Sequence, residues 1–195
     1  MKTTNTILAS ILLVFTVFSG LAQTPSKLKA IKFTIHGTSS LHEWESKVEK
    51  AEWKGSLTAD VNKTLTLKQV ELKIPVEGIQ SEHGKIMDNK TYEAFNSEKN
   101  PYITFKAKAF TQKLVANDIL LTVEGDLTMN GVTNLIMLSL TGKTLPGGDI
   151  QFIGSRSLKM TDFKMKPPTA MMGTIKVGNE VTVKFDLTIA NINNL

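Results

Sequence analysis

From Leu28 onward the chain alternates apolar and polar side chains with a period of two for most of its length. Ile31, Phe33 and Ile35 alternate with Lys32, Thr34 and His36, and Trp44, Ser46 and Val48 with Glu43, Glu45 and Lys47. The same pattern runs through Trp53, Gly55 and Leu57, and through Val70, Leu72, Ile74 and Val76. It returns in Ile103, Phe105, Ala107 and Ala109, in Ile119, Leu121, Val123, Leu127 and Met129, and in Val181, Val183, Phe185, Leu187 and Ile189. Successive side chains of a strand point to opposite faces, so each run predicts a strand with one face in the core and one in water.

Further strands are predicted at Leu135 to Thr144 and Asp149 to Thr161, joined by the turn Leu145-Pro146-Gly147-Gly148. Asn130-Gly131 is a two-residue hairpin turn. The pattern breaks at Glu82 to Asn96, which reads as one short helix with Ile86, Met87, Tyr92 and Phe95 on a common stripe. About nine strands and one helix make an all-β domain, an antiparallel sandwich or a closed barrel, with closure removing exposed edges. Gly55, Ala59, Ala107, Ala109, Gly125 and Gly154 fall on inward rows. Small inward residues leave room for a ligand or for a large side chain opposite, and the pattern alone leaves lumen and solid core open.

The first 22 residues stand apart. Lys2 is their one charge, Ile7 to Phe18 is a nearly unbroken apolar run, and Gly20 and Ala22 sit at −3 and −1 of a cut before Gln23. This is the form of a secretory signal peptide and is too short for a membrane span. Cleavage of 22 of the 195 residues would leave about 173, as one domain at 23–195, exported and carrying a charge of +4 once Lys2 is gone from the +5 total. With no cysteine there is no disulfide, thiolate site or lipoprotein anchor. A bacterial periplasm fits better than an oxidising exterior, with secretion also open.

Lys and Arg total 23 against 18 Asp and Glu, spread without a basic cluster, which argues against nucleic acid. The three histidines, His36, His42 and His83, form no metal-ligand pair. Nucleophile-elbow, phosphate-loop and dinucleotide motifs are missing. No catalytic residue, cofactor or metal is therefore expected. Two stretches stand out. Gly37-Thr38-Ser39-Ser40-Leu41-His42-Glu43-Trp44 is a turn running into a His-acid-Trp triplet, and Phe163 to Gly173 is a methionine-rich loop. The first is either a cavity mouth with His42 as a polar contact or a corner anchored by Trp44. The second is either a flexible apolar lip or a loop packed on the barrel.

Five ordered stretches together resemble the YceI-like family of exported, lipocalin-like lipid-binding proteins over about Lys29 to Ala190. They are the 37–44 segment, similar to the family's Bacteroidetes-type members; Ile74-Pro75-Val76 followed by Met87 to Phe95; Asn100-Pro101-Tyr102-Ile103-Thr104-Phe105; Gly125 to Thr133; and Gly178-Asn179-Glu180-Val181-Thr182-Val183. Asn100 and Asn179 replace the family's more usual Tyr and Asp, in loops rather than in the lumen. The resemblance implies an extended, eight-stranded antiparallel barrel whose lumen holds a long-chain polyisoprenoid, isoprenoid quinone or fatty acyl lipid, without catalysis. Dimers are common in the family, so a homodimer and transient membrane contact stay open, as does a non-catalytic periplasmic interaction module with a solid core.

On that frame the expected lumen lining is Ile35, Trp44, Leu72, Phe105, Val123, Phe152, Met160, Val183 and Phe185. His42 and Arg156 are the polar candidates. Arg156 shares the strand parity of Phe152 and Met160 unless a bulge intervenes, and a buried cation there needs a partner or a ligand head group.

Overall fold

The computed structural model describes residues 25–191, so the leader reading at 1–22 and the cut before Gln23 lie outside the described residues. Eleven strands form one sheet. In chain order they are β1 (Leu28–Ser39), β2 (Glu43–Val48), β3 (Glu52–Ala59), β4 (Leu65–Pro75), β5 (Ile79–Ser81), β6 (Tyr102–Val115), β7 (Asp118–Met129), β8 (Val132–Thr144), β9 (Ile150–Lys159), β10 (Thr169–Ala170) and β11 (Ile175–Ile189). Helix α1 (Lys85–Phe95) follows β5. The spatial order is β3-β4-β6-β7-β8-β9-β11-β1-β2-β5, antiparallel throughout, with β10 paired to β11. The strands beyond the expected nine are the short β5 and β10.

The sheet curls strongly into a half-barrel, and its hydrogen-bond ladder does not run from β3 round to β5. Beside β3, the seam is closed at one end by the segment before β1. The Ser26 amide donates to the Gly55 carbonyl, and the buried Ser26 hydroxyl accepts from the Leu57 amide at 2.7 Å and donates to the Leu57 carbonyl at 3.1 Å. A buried hydroxyl satisfied in both roles avoids the desolvation penalty of an orphaned polar group.

Bulges reset the alternation in β6 and in the β3–β4 pair. At Lys108 the register slips between Ala107, opposite Gly125, and Ala109, opposite Glu124. Ala109 is exposed rather than inward, and Phe110 pairs with the buried Val123. An extra residue in one strand flips every later side chain to the other face, which the plain two-residue period could not foresee. The second lies between Lys54 and Ser56, opposite Gln69, whose φ is +51°. The predicted strand to Thr161 stops at Lys159, and Met160–Phe163 turns as a 3-10 helix. Val76 likewise opens a short 3-10 turn, though it is buried. The turns came out as read. Asn130 and Gly131 both have positive φ, as a tight hairpin between right-twisted strands requires, and the Leu145 amide bonds the Asp149 carbonyl.

Inward glycines receive aromatic rings from the next strand. Gly37 is the direct cross-strand partner of Trp44, Gly142 of Phe152 and Gly154 of Phe185. A Cβ added at Gly154 would lie 2.6 Å from the Phe185 ring, and one at Gly125 would lie 2.6 Å from the Phe105 ring. The rings therefore lie against the wall. Phe185 also meets Phe33 edge-on, with centroids 5.9 Å apart.

Gly154→Val is expected to cost about 1–3 kcal/mol through overpacking against Phe185, lowering the melting temperature by several degrees. The adjacent, outward Ser155→Val is the control and should stay within about 0.5 kcal/mol. Equal melting of both variants and the parent would contradict the ring-on-glycine packing.

Candidate functional site: an apolar lumen

The inward rows enclose a cavity of about 250 Å³, near the lower bound of small-molecule sites, roughly 300 Å³. Its deep end rests on Leu57, Leu65, Ile119, Leu121, Ile150, Phe152 and Ile189. The other end is walled by Phe33, Ile74, Leu127, Met129, Ile136 and Phe185, with α1 across it. All nine residues read as lumen lining from the sequence, Ile35, Trp44, Leu72, Phe105, Val123, Phe152, Met160, Val183 and Phe185, border this one cavity. Met160 does so from the 3-10 turn rather than from a strand.

The polar borders are few: Ser46, Ser81, Lys90, Thr91, Arg156 and Lys159, and among the described residues no Asp or Glu joins them. Arg156 has the parity expected of it. The β9–β11 register runs without a bulge from Ile150 to Lys159 and sets Arg156 opposite Val183. The same cross-strand row continues through Ile35 and Ser46 to Ser81. Arg156 is nonetheless exposed, not buried, because the wall parts beside it. β8 pairs with β9 only between Leu140–Thr144 and Ile150–Gly154. Above that the two strands separate until the 160–163 turn, which β8 and its hairpin tie down: Asn134 Nδ2 donates to the Asp162 carbonyl at 2.8 Å and Asn130 Nδ2 to the Phe163 carbonyl at 3.1 Å.

His42 is elsewhere. It does not border the cavity, and its ring lies against His83 with centroids 5.1 Å apart. The reason is local: the Ser39 hydroxyl accepts from the His42 amide, and His42 Nδ1 is 2.6 Å from the Glu43 carbonyl, folding the ring back onto the turn. Trp44 is the member of that segment that reaches the lumen, its indole N–H donating to the Thr38 carbonyl at 3.0 Å. The methionine-rich loop turns outward at its tip, with Met171 and Met172 exposed, while Met165 is buried against the core.

Helix α1 closes one side of the cavity through Met87, Thr91, Ala94 and Phe95. Ile86, expected on that stripe, is exposed instead, because it sits about 100° round the helix from Met87. The Tyr92 hydroxyl, on the opposite flank, is shared between the carbonyls of Glu77 and Ile79, at 3.1 and 3.2 Å, and burial pushes its pKa up. At the start of the helix, Lys47 reaches Glu82 at 2.8 Å, and that hydrogen-bonded ion pair raises the lysine's pKa and lowers the carboxylate's. Asp88 Oδ1 accepts from the Ser81 amide. The helix is therefore moored to β2 and β5.

The sequence reading missed Trp53, Ile136, Leu138 and Leu158 as cavity borders. Strand parity alone would have found Trp53, which shares a face with Gly55 and Leu57 in the plain alternation. Trp53 also carries a buried indole N–H with no hydrogen-bond partner. Among the described residues, no three His, Cys, Asp or Glu side chains converge as a metal site would require.

Trp44→Phe breaks a hydrogen bond, whereas Trp53→Phe removes an unpaired buried donor, whose loss offsets part of the lost apolar contact. Chemical unfolding should therefore find Trp44→Phe the more destabilised of the two, by about 1 kcal/mol. The reverse order would contradict the two indole environments.

Solved structures share this architecture. BcnA of Burkholderia cenocepacia superposes with a TM-score of 0.65 at 19% identity, over 81% of this chain and 95% of its own. A polyisoprenoid binding domain from Saccharophagus degradans, implicated in plant cell wall breakdown, gives 0.64 at 13% identity, over 86% and 97%. The YCEI protein of Campylobacter jejuni gives 0.53 at 19% identity, over 72% and 83%. No functionally curated protein matches the sequence significantly. The family model for the YceI-like domain matches residues 23–189, nearly the whole chain, and with the curled antiparallel sheet around one lumen it establishes that this chain belongs to the YceI-like family.

Proposed function

We propose that the protein is an exported, non-catalytic carrier that holds one long-chain amphiphile in its lumen, a polyisoprenoid, an isoprenoid quinone or a fatty acyl derivative. The observation that carries this reading is the cavity itself: apolar from the deep end to α1, with its polar borders confined to α1, the row through Arg156, Ser46 and Ser81, and Lys159 at the end of β9. Such a space attracts a chain by removing its surface from water, at about 0.8 kcal/mol per methylene. Affinity should then rise about fourfold for each added carbon until the lumen is full. Head groups are discriminated only where polar side chains border the space.

In this reading Ile35, Trp44, Leu72, Phe105, Val123, Phe152, Met160, Val183 and Phe185 contact the chain. The polyisoprenoid binding attributed to the Saccharophagus degradans domain supports the cargo class by likeness of fold. Export to the periplasm or beyond rests on the charge, apolar run and small-residue cleavage pattern of the first 22 residues.

Protein purified without detergent from its own host should release, on organic extraction, about one equivalent of a prenyl, quinone or acyl lipid by mass spectrometry. An empty extract from protein that also fails to take up apolar chains would contradict the carrier reading and favour an interaction module.

A further inference from the structure

The separation of β8 from β9 makes a window in the barrel wall, and its chemistry is one-sided. Ile136, Arg156, Leu158 and Lys159 border both the lumen and a groove on the outer surface, so the two spaces share these residues in their walls. Two of the four are cations. Arg156 lies on the lumen-facing row, between Gly154 and Leu158, and its guanidinium makes no hydrogen bond or ion pair with any described residue. Lys159 makes no ion pair either; its cross-strand neighbour Glu180 and nearby Asp162 line the outer groove but do not come within ion-pairing distance. The third cation at the lumen, Lys90 on α1, is already held by Glu93 at 2.9 Å. No carboxylate among the described residues borders the lumen to balance them.

A guanidinium is charged at any physiological pH and offers a planar fork of donors that matches carboxylate and phosphate oxygens. Set at the edge of an apolar, low-dielectric space, it favours an anion more strongly than it would in water. We propose that the cargo is an anionic amphiphile whose carboxylate or phosphate head is held in the β8–β9 window by Arg156, with Lys159 adding positive field, while its chain lies in the lumen. This inference rests on the carrier reading and narrows it from long-chain lipids in general to those ending in an anion. It also gives the head group a lateral position in the wall, between the Leu140–Gly154 pair and the 160–163 turn, rather than one at the turn that holds His42.

The test compares ligands with one chain and different heads. Palmitate and hexadecan-1-ol are titrated at pH 8 and low salt against the purified protein loaded with the neutral probe N-phenyl-1-naphthylamine. Palmitate is expected to displace the probe at about tenfold lower concentration than the alcohol, since charge-assisted bonds are about twice as strong as neutral ones, and the advantage should shrink with added salt. Arg156→Gln should narrow the gap to less than twofold, and Arg156→Lys should retain part of it, each variant being checked by its melting temperature. A parent that does not prefer palmitate, or a preference that survives in a folded Arg156→Gln, overturns the inference while leaving the carrier reading intact. If neither chain displaces the probe from the parent, the carrier reading has failed and this inference falls with it.

Discussion

The lumen depends on where aromatic rings go. On a curled sheet, inward side chains converge, and a wall of Phe and Trp would ordinarily meet at the axis and fill it. Here Trp44, Phe152 and Phe185 each lie opposite a glycine on the neighbouring strand, and Phe105 covers Gly125. A ring laid along the wall covers backbone that would otherwise be exposed to the cavity, and it keeps its bulk out of the centre. Cross-strand contacts of this kind also pin register, because a one-residue slip would set the ring against a Cβ. The same four pairs thus stabilise the wall and keep the interior open.

Closure is a second constraint, met differently around the circumference. A continuous ladder would remove every edge but would also seal the wall. This protein leaves three places where strands do not pair: between β3 and β5, between the first half of β4 and the second half of β6, and along the upper half of β8 and β9. The first is stitched at its base by Ser26 and covered by α1, held through Tyr92, Asp88 and the Lys47–Glu82 pair. The third is bridged only at its top, by two asparagine side chains of the β7–β8 hairpin region. It is also where Arg156 and Lys159 border the lumen.

Much of this was legible from residues alone. Period-two alternation marked the strands and, with Asn130-Gly131 and Pro146-Gly147-Gly148, the hairpins, because both signals are local. The inward sets of β1, β7 and β11 carried over directly, since no bulge interrupts them within Ile31–Ile35, Ile119–Met129 or Val181–Leu187. Ala109 went astray because one extra residue at Lys108 inverts the parity, and nothing in Lys106-Ala107-Lys108-Ala109 distinguishes a bulge from a regular strand. Ile86 went astray because a short helix over a cavity presents Thr91 and Ala94, small side chains that carry little hydrophobic signal, while a bulkier neighbour faces water. The register of Arg156 could be read, but its exposure could not, because exposure depends on β8 turning away, a property of two strands distant in sequence. His42 drew notice as a polar residue beside Trp44, yet the side-chain bonds that fold its ring back, from the His42 amide to the Ser39 hydroxyl and between His42 Nδ1 and the Glu43 carbonyl, leave no mark in the two-residue alternation.

The proposed function depends on a lumen open to a chain, and the protein carries its own reporters for it. Trp44 and Trp53, the two tryptophans of the chain, both border the cavity, one on each side of the sheet's gap. Titration with a stearate brominated in mid-chain should quench the emission of both, saturating at one equivalent, since a heavy atom must come into near contact with an indole to do so. Quenching that never saturates, or none while water-soluble quenchers still act, would mean that the chain stays outside and that the lumen is not a binding site.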